Sequence, residues 1–251
     1  MAKIHLLDLP IDDYTMEQAL TFIENKLTSR KNATAEKHHL NLPLIQVVTI
    51  NPEIAWKATQ NADLREAINE ADLVVPDGIG VVIAAKLKGF ALPERVAGFD
   101  LMQHLLALAA EKGYRVYLLG AAPGVAQQAA AVACTKYPRL QIVGCSDGYF
   151  DAVREHELIQ EIAQADVDLL FCALGPPRPA EQWIKRHKTV LSVGLAMGVG
   201  GSFNVMAGHE ARAPIWMQRL GLEWLHRVIA DPKRFGRLAA IPKFLWRVIW
   251  S

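Results

Sequence analysis

The chain has 251 residues, of which 51% are hydrophobic and 21% charged, and a formal net charge of +1. That is enough apolar material for a substantial core, in one large domain or two lobes sharing a sheet. Near-neutrality argues against a general polyanion binder, so no nucleic acid is expected as a partner.

In chain order, the start MAKIHLLDLPIDD lacks the long apolar core and cleavage site of a secretory signal. No apolar run reaches the ~20 residues of a spanning helix, so a cytoplasmic chain with only peripheral membrane contact is expected. A strand is predicted at Ile4–Leu7 and a helix at Tyr14–Leu27. Residues 28–43 (TSRKNATAEKHHLNLP) are polar and read as an exposed loop or insertion. LIQVVTI follows as a buried strand, then a helical stretch over Pro52–Glu70, then the strand DLVVP. Ile79–Lys88 and Phe99–Lys112 have helical patterns. Thereafter strands and helices alternate regularly: RVYLLG with Gly124–Lys136, QIVGC with Arg154–Ala163, VDLLFCALG with Ala180–His187, and finally VLSVGLAMGVGGSF. Continuous apolar strands separated by helices imply an α/β fold, a Rossmann-like parallel sheet flanked by helices.

From Pro214 onward no strand pattern remains. Short amphipathic helices broken by Pro232 and Pro242 are predicted, carrying Trp216, Trp224, Trp246 and Trp250. From Arg212 to Ser251 there are eight Lys/Arg against two acids, which suggests a local encounter with phosphate or an anionic membrane surface. Arg227, Arg234 and Arg237 recur at spacings of seven and three, compatible with one helical side. Tryptophan prefers the headgroup level and arginine pairs with phosphate; a solvated basic face explains the pattern equally well. The expected organisation is a catalytic domain over 1–211 and a basic, helical appendage over 212–251.

In open α/β sheets ligands bind beyond the carboxyl ends of the strands. Five loops there carry chemistry: 49–52 (TINP), 76–78 (PDG), 120–124 (GAAPG), 175–179 (GPPRP) and 198–202 (GVGGS). Glycine lets backbone approach a ligand, and free helix N–H groups favour phosphate. Asp77 follows an apolar strand, where a partly desolvated carboxylate can take a proton from an attacking hydroxyl. Spacing alone slightly favours a helix N-cap instead. Thr49 and Asn51 read as a strand end and turn, or as substrate ligands. Arg95 reads as an ion pair with Glu94 or another acid, or as a diphosphate clamp. Asp166-Val167-Asp168 matches a metal-holding DxD pattern only superficially, because it precedes its strand and belongs at the opposite end. The eight histidines are scattered, and Cys134, Cys145 and Cys172 form no CxxC pair, so no metal site, cofactor or disulfide framework is read.

Seven segments together resemble the WecG/TagA/CpsF family of glycosyltransferases: TINPEIAWKAT, NADLREAINEADLVVPDGIGVV, LPERVAGFDL, GYRVYLLGAAPGVAQQA, IVGCSDGYF, MGVGGSFNVMAGHEARAP and WMQRLGLEWLHRVIADPKRF. They run in order from Val47 to Phe235. The resemblance implies an inverting, metal-independent transfer from a UDP-sugar to the 4-hydroxyl of N-acetylglucosamine on undecaprenyl diphosphate, with N-acetylmannosamine the leading donor and a related hexose or uronic acid the alternative. It implies that Asp77 is the catalytic base, which displaces the simple cap. Thr49, Asn51 and the adjoining Gly78 match the pocket lining, and Arg95 matches an arginine facing substrate phosphate. Tyr149, Gly198, Gly200, Gly201, Ser202 and Asn204 match the nucleotide-binding region, Gly120 is expected among the substrate-binding residues, and Glu181 is the acid closing the 175–181 loop. Arg227, Arg234 and Arg237 match the basic appendage that docks on membrane and closes the active site.

The chain departs from the family pattern in three places. It reads GPPRPAE at 175–181 where the family reads GAPKQE, one residue longer and without the glutamine; Gln182 is the alternative. Asn204 replaces an aspartate, and the 28–43 segment is unusual. The rival enzyme class, an NAD-dependent sugar oxidoreductase or epimerase, would need GxGxxG after the first strand, which GAAPG fits poorly. A non-catalytic membrane scaffold would leave Asp77 and the five loops unexplained. An apolar, Trp-rich tail leaves homo-oligomer formation open.

Overall fold

In the computed structural model, residues 3–36, 44–230 and 240–250 are described. The chain divides into two compact units, one comprising Met1–Gln18, Val48–Ala97 and Ala211–Ser251, the other Ala19–Val47 and Gly98–Glu210.

The sheet is parallel and six-stranded, as the alternating pattern predicts. Its strands are β3 (Ile45–Ile50), β4 (Leu73–Pro76), β5 (Arg115–Gly120), β6 (Gln141–Ser146), β7 (Leu169–Ala173) and β8 (Leu195–Gly198), in the order β4-β3-β8-β7-β5-β6. Every residue of β3, β4, β7 and β8 is buried, which is why their sequences, apart from Gln46 and Thr49 of β3, are apolar without alternation.

In the first unit the start of the chain forms a hairpin, β1 (Lys3–Leu6) and β2 (Leu9–Asp12), joined by Leu7 and Asp8 with φ of 54° and 62°. A single strand is expected from the sequence. The turn escapes detection because it has the two left-handed residues of a two-residue hairpin without the Asn-Gly or Asp-Gly pair that usually announces one. Asp12 ties the hairpin down, accepting from the Val74 N–H at 2.8 Å and pairing with Lys3 at 3.5 Å. The predicted helix over 52–70 is two helices, α2 (Pro52–Ala58) and α3 (Ala62–Asn69). Asn61 separates them by capping α3 through the Leu64 N–H. Helix α4 (Ile79–Leu87) follows β4. The tail supplies α10 (Ile215–Arg219), α11 (Glu223–Ala230) and α12 (Ala240–Ile249). Phe244 and Val248 of α12 lie one turn apart and are fully buried with Ile11, Ile50, Ile68, Val81 and Ala84.

In the second unit, α5 (Gly98–Lys112), α6 (Val125–Lys136), α7 (Ala152–Gln164) and α8 (Ala180–Arg186) follow or precede their strands as expected, and a short α9 (Ser202–Met206) that the sequence does not announce follows β8. The opening helix α1 (Met16–Glu36) corrects the predicted loop: residues 28–36 are helical. They contain neither Pro nor Gly, and Arg30, Lys31, Ala33, Ala35 and Glu36 are good helix formers. Tertiary contacts secure the extension, with Lys31 3.0 Å from Asp168 and over the Tyr114 ring. The remainder of the predicted loop, 37–43, lies outside the described residues.

Candidate active site

The first unit contains a cavity of about 420 Å³ lined by Asp77, Asn51 and Arg95, with walls from α4 and the tail. Asp77 emerges from the carboxyl end of β4, its N–H donating to Ile50 O at 2.8 Å. It is not the cap of α4. Gly78 holds that position with extended backbone (φ −91°, ψ 139°), and Asp77 stands one residue before it. The spacing-based cap preference is therefore corrected: α4 begins at Ile79, one residue too late for the aspartate to be its cap. Gly78 and Gly80 have no side chain because Pro52 lies against them; a Cβ on either would come within 2.6 Å of the proline ring. This contact seats the start of α2 against the start of α4 and fixes the turn bearing Asp77.

Asn51 also lines the cavity, but its Oδ1 is used as the cap of α2, accepting the Ile54 N–H at 3.0 Å. Thr49 is buried within β3 and is not among the lining residues. Arg95 donates to Glu223 Oε2 at 2.7 Å, to Gln218 O at 3.2 Å and to the Asp77 carbonyl at 3.4 Å. Glu94 is not its partner and instead accepts from the Met16 N–H. Glu223 also meets Arg212 Nε at 3.6 Å. The acid that organises this corner is thus Glu223. Sequence reasoning counts it merely as one of two acids in a basic tail, although its place among the apolar residues of GLEWLHR was the available signal.

Glu53 and Glu223 line the cavity too, and the other side chains in its walls are apolar: Pro52, Ile79 and Ile83 of α4, Leu220 and Leu222, Trp224 and Val228 of α11, Ile241 and Leu245 of α12. Asp77 is half-buried there, and partial desolvation of a carboxylate suits a general base. Of the three predicted tail arginines, Arg234 and Arg237 lie outside the described residues; Arg227 belongs to α11, and its side chain is not described.

The second unit brings the other predicted residues to strand ends. Gly120 closes β5 with φ of 120°, and a Cβ there would sit 2.5 Å from the Ala173 carbonyl carbon. Gly198 closes β8, Gly200 has φ of 50°, and Gly201 caps α9. The buried Ser202 hydroxyl donates back to Val199 O at 2.6 Å, so it shapes this turn. Asn204 Nδ2 reaches Glu210 Oε1 at 3.4 Å. Tyr149 is exposed, its N–H held by Asp147. Glu181 lies in the first turn of α8, its carbonyl accepting from Gln46 Nε2 at 3.0 Å, and its carboxylate lies beside Gly198. In the unusual 175–179 loop, Arg178 stacks 4.2 Å over the Phe150 ring and donates to Phe150 O, which gives the family's lysine replacement a packing role. Asp168 sits at the amino end of β7, as expected, where it accepts from the Arg115 N–H at 2.8 Å and pairs with Lys31. Burial raises the Cys145 thiol to about 11 and raises Cys172 further, so neither is a thiolate nucleophile at neutral pH.

Fold and site together define an α/β enzyme with a carboxylate at a strand's carboxyl end, in a cavity partly walled by its own C-terminal segment. Comparison with known proteins specifies the class. A family model described as the glycosyl transferase WecG/TagA/CpsF family matches residues 4–251. An N-acetylglucosaminyldiphosphoundecaprenol N-acetyl-β-D-mannosaminyltransferase of Bacillus subtilis (strain 168) is 36% identical over 232 residues, covering 92% of this chain and 89% of the relative. The protein of the same name from Staphylococcus aureus (strain NCTC 8325 / PS 47) is 34% identical over 247 residues, covering 98% and 92%. The chain belongs to the WecG/TagA/CpsF family and is a glycosyltransferase. No helix among the described residues is long and apolar enough to cross a membrane.

Proposed function

We propose that the protein transfers N-acetylmannosamine from its UDP derivative to the 4-hydroxyl of N-acetylglucosamine on undecaprenyl diphosphate, inverting the anomeric centre without a metal ion. The observation that carries this is Asp77 in the wall of the 420 Å³ cavity, ahead of the α4 cap rather than in it. The activity for which the relatives are named supports the acceptor and the sugar.

In the proposed reaction the Asp77 carboxylate takes the proton of the acceptor hydroxyl as its oxygen attacks the anomeric carbon. The bond from that carbon to the β-phosphate oxygen breaks, and UDP leaves with the electron pair. Without a metal, the charge growing on UDP must be met by arginines and backbone N–H groups. Gly198, Gly200, Gly201, Ser202 and Asn204, with Gly120, Tyr149 and Glu181, are assigned to the nucleotide. Asn204, in place of the family aspartate, removes a like charge near the diphosphate. Asn51, Gly78 and Arg95 are assigned to the acceptor end, with Thr49 buried behind them in β3, and Arg227, Arg234 and Arg237 to the acceptor diphosphate. Functionally, 1–211 is the catalytic part and 212–251 an appendage working on the cytoplasmic side at an anionic membrane surface. Trp216, Trp224, Trp246 and Trp250, all exposed, support that assignment.

The test is UDP release from a panel of UDP-sugars with the lipid-linked acceptor and EDTA present. Release with UDP-N-acetylmannosamine that depends on acceptor is the expected result. Preference for UDP-glucose or a uronic acid donor would reassign the sugar, and a requirement for divalent metal would overturn the metal-free step.

A further inference from the structure

A second cavity of about 350 Å³ lies in the first unit, lined by His5, Asp8, Thr59, Arg65, Lys88 and Arg247, with Leu6, Leu7 and Phe90. Four elements supply its basic groups: β1, α3, the end of α4 and α12. Among the described residues none of the three permanent cations, Arg65, Lys88 and Arg247, is in an ion pair, and Asp8 is the one carboxylate in the lining. Cations of one sign converging on one concavity would repel each other unless an anion joined them. Thr59 adds a hydroxyl, although in this structure it donates to Trp56 O at 2.7 Å.

We infer that this cavity binds a phosphate group, and that the phosphate is the headgroup of an anionic phospholipid. The volume corresponds to roughly ten waters, more than a bare phosphate fills and enough for a glycerol beside it. The surroundings favour the lipid. Phe90 forms part of the wall and is 40% exposed. On α12, Arg247 is flanked by Trp246 and Trp250, 66% and 72% exposed, with rings 5.6 Å apart. Indole rings beside a phosphate-binding arginine suit the layer where headgroup meets acyl chain. The site shares α12 with the Asp77 cavity, which Ile241 and Leu245 line while Arg247 lines this one, and Lys88 directly follows α4, whose Ile79 and Ile83 line the other. The inference goes beyond the proposed transfer reaction, and its readout needs no catalysis.

The experiment compares the full-length protein with Arg65→Gln/Lys88→Gln and with a charge-matched control, Lys26→Gln/Lys86→Gln, whose lysines are exposed and line neither cavity. Binding is measured by flotation on phosphatidylcholine vesicles with and without phosphatidylglycerol, and by tryptophan fluorescence against inorganic phosphate. The cavity variant is expected to lose about tenfold or more of its affinity for phosphatidylglycerol vesicles, with the control much less affected and thermal unfolding unchanged in both. Inorganic phosphate should shift the fluorescence of the wild type and the control but not of the cavity variant. Equal loss in both variants would overturn the site in favour of diffuse charge attraction. A fluorescence response lost only in the cavity variant, with vesicle binding equal in all three proteins, would overturn the lipid source and leave free phosphate as the ligand.

Discussion

Asp77 shows how one residue position separates two roles that sequence cannot distinguish. An aspartate before a helix is most often a cap, and only the backbone course through Gly78 reveals that the cap is the glycine. Glu223 is the opposite case, a residue whose importance lies in its partners. It and Arg95 are both largely buried, 16% and 18% exposed, and 2.7 Å apart. Glu223→Ala leaves Arg95 and Arg212 without that carboxylate, and a charged hydrogen bond of this kind contributes about 2 kcal/mol. A lower urea midpoint with unchanged m-value is the expected outcome; an unchanged midpoint would show the pair to be energetically idle. His187 provides a pH-dependent case. Burial lowers its pKa below the ordinary 6.5, partly opposed by Glu155, which it meets at 3.2 Å and which also accepts from the Trp183 indole at 2.6 Å. With the folded pKa depressed, the unfolded chain binds more protons below pH 6.5, so stability falls as pH drops through that value toward the folded pKa. Chemical denaturation from pH 7.5 to 5 should show this slope, and His187→Gln should flatten it.

At the scale of elements, the starts of α2 and α4 meet through Pro52 and the glycines of PDGIG. An ordinary helix glycine gains about 1 kcal/mol on becoming alanine. At Gly80 the new Cβ would lie 2.6 Å from a proline ring, and overpacking costs about 1–3 kcal/mol. Gly80→Ala should therefore destabilise despite its better helix propensity, as calorimetry would show; a raised melting temperature would mean that Pro52 yields freely. The parallel strands and most helices were legible because their hydrophobic runs are unbroken and their periods consistent. Three features were not. The turn at Leu7–Asp8 lacks an Asn-Gly or Asp-Gly pair, polar composition made 28–36 look like a loop although nothing there stops a helix, and one cap, Asn61, divides α2 from α3 within a single apolar period.

At the scale of the whole molecule, strand order is set by pairings remote in sequence, such as β3 with β8, and no local pattern encodes them. The tail was legible as basic, helical and Trp-rich. Its structural weight was not, because its buried face becomes visible only with its partners: α12 places Phe244 and Val248 in the core and Leu245 in the wall of the Asp77 cavity. Phe244→Ala should cost about 3–5 kcal/mol, a core-sized loss measurable by denaturant unfolding. A loss below about 1 kcal/mol would show the tail to be only loosely applied. The central claim is that Asp77 is the base of a glycosyl transfer. Its most direct test is the rate of acceptor-dependent UDP release by Asp77→Asn, a nearly isosteric change, at matched thermal stability. A fall of about 10²–10⁴-fold is expected for a lost general base; release at the wild-type rate would contradict the assignment.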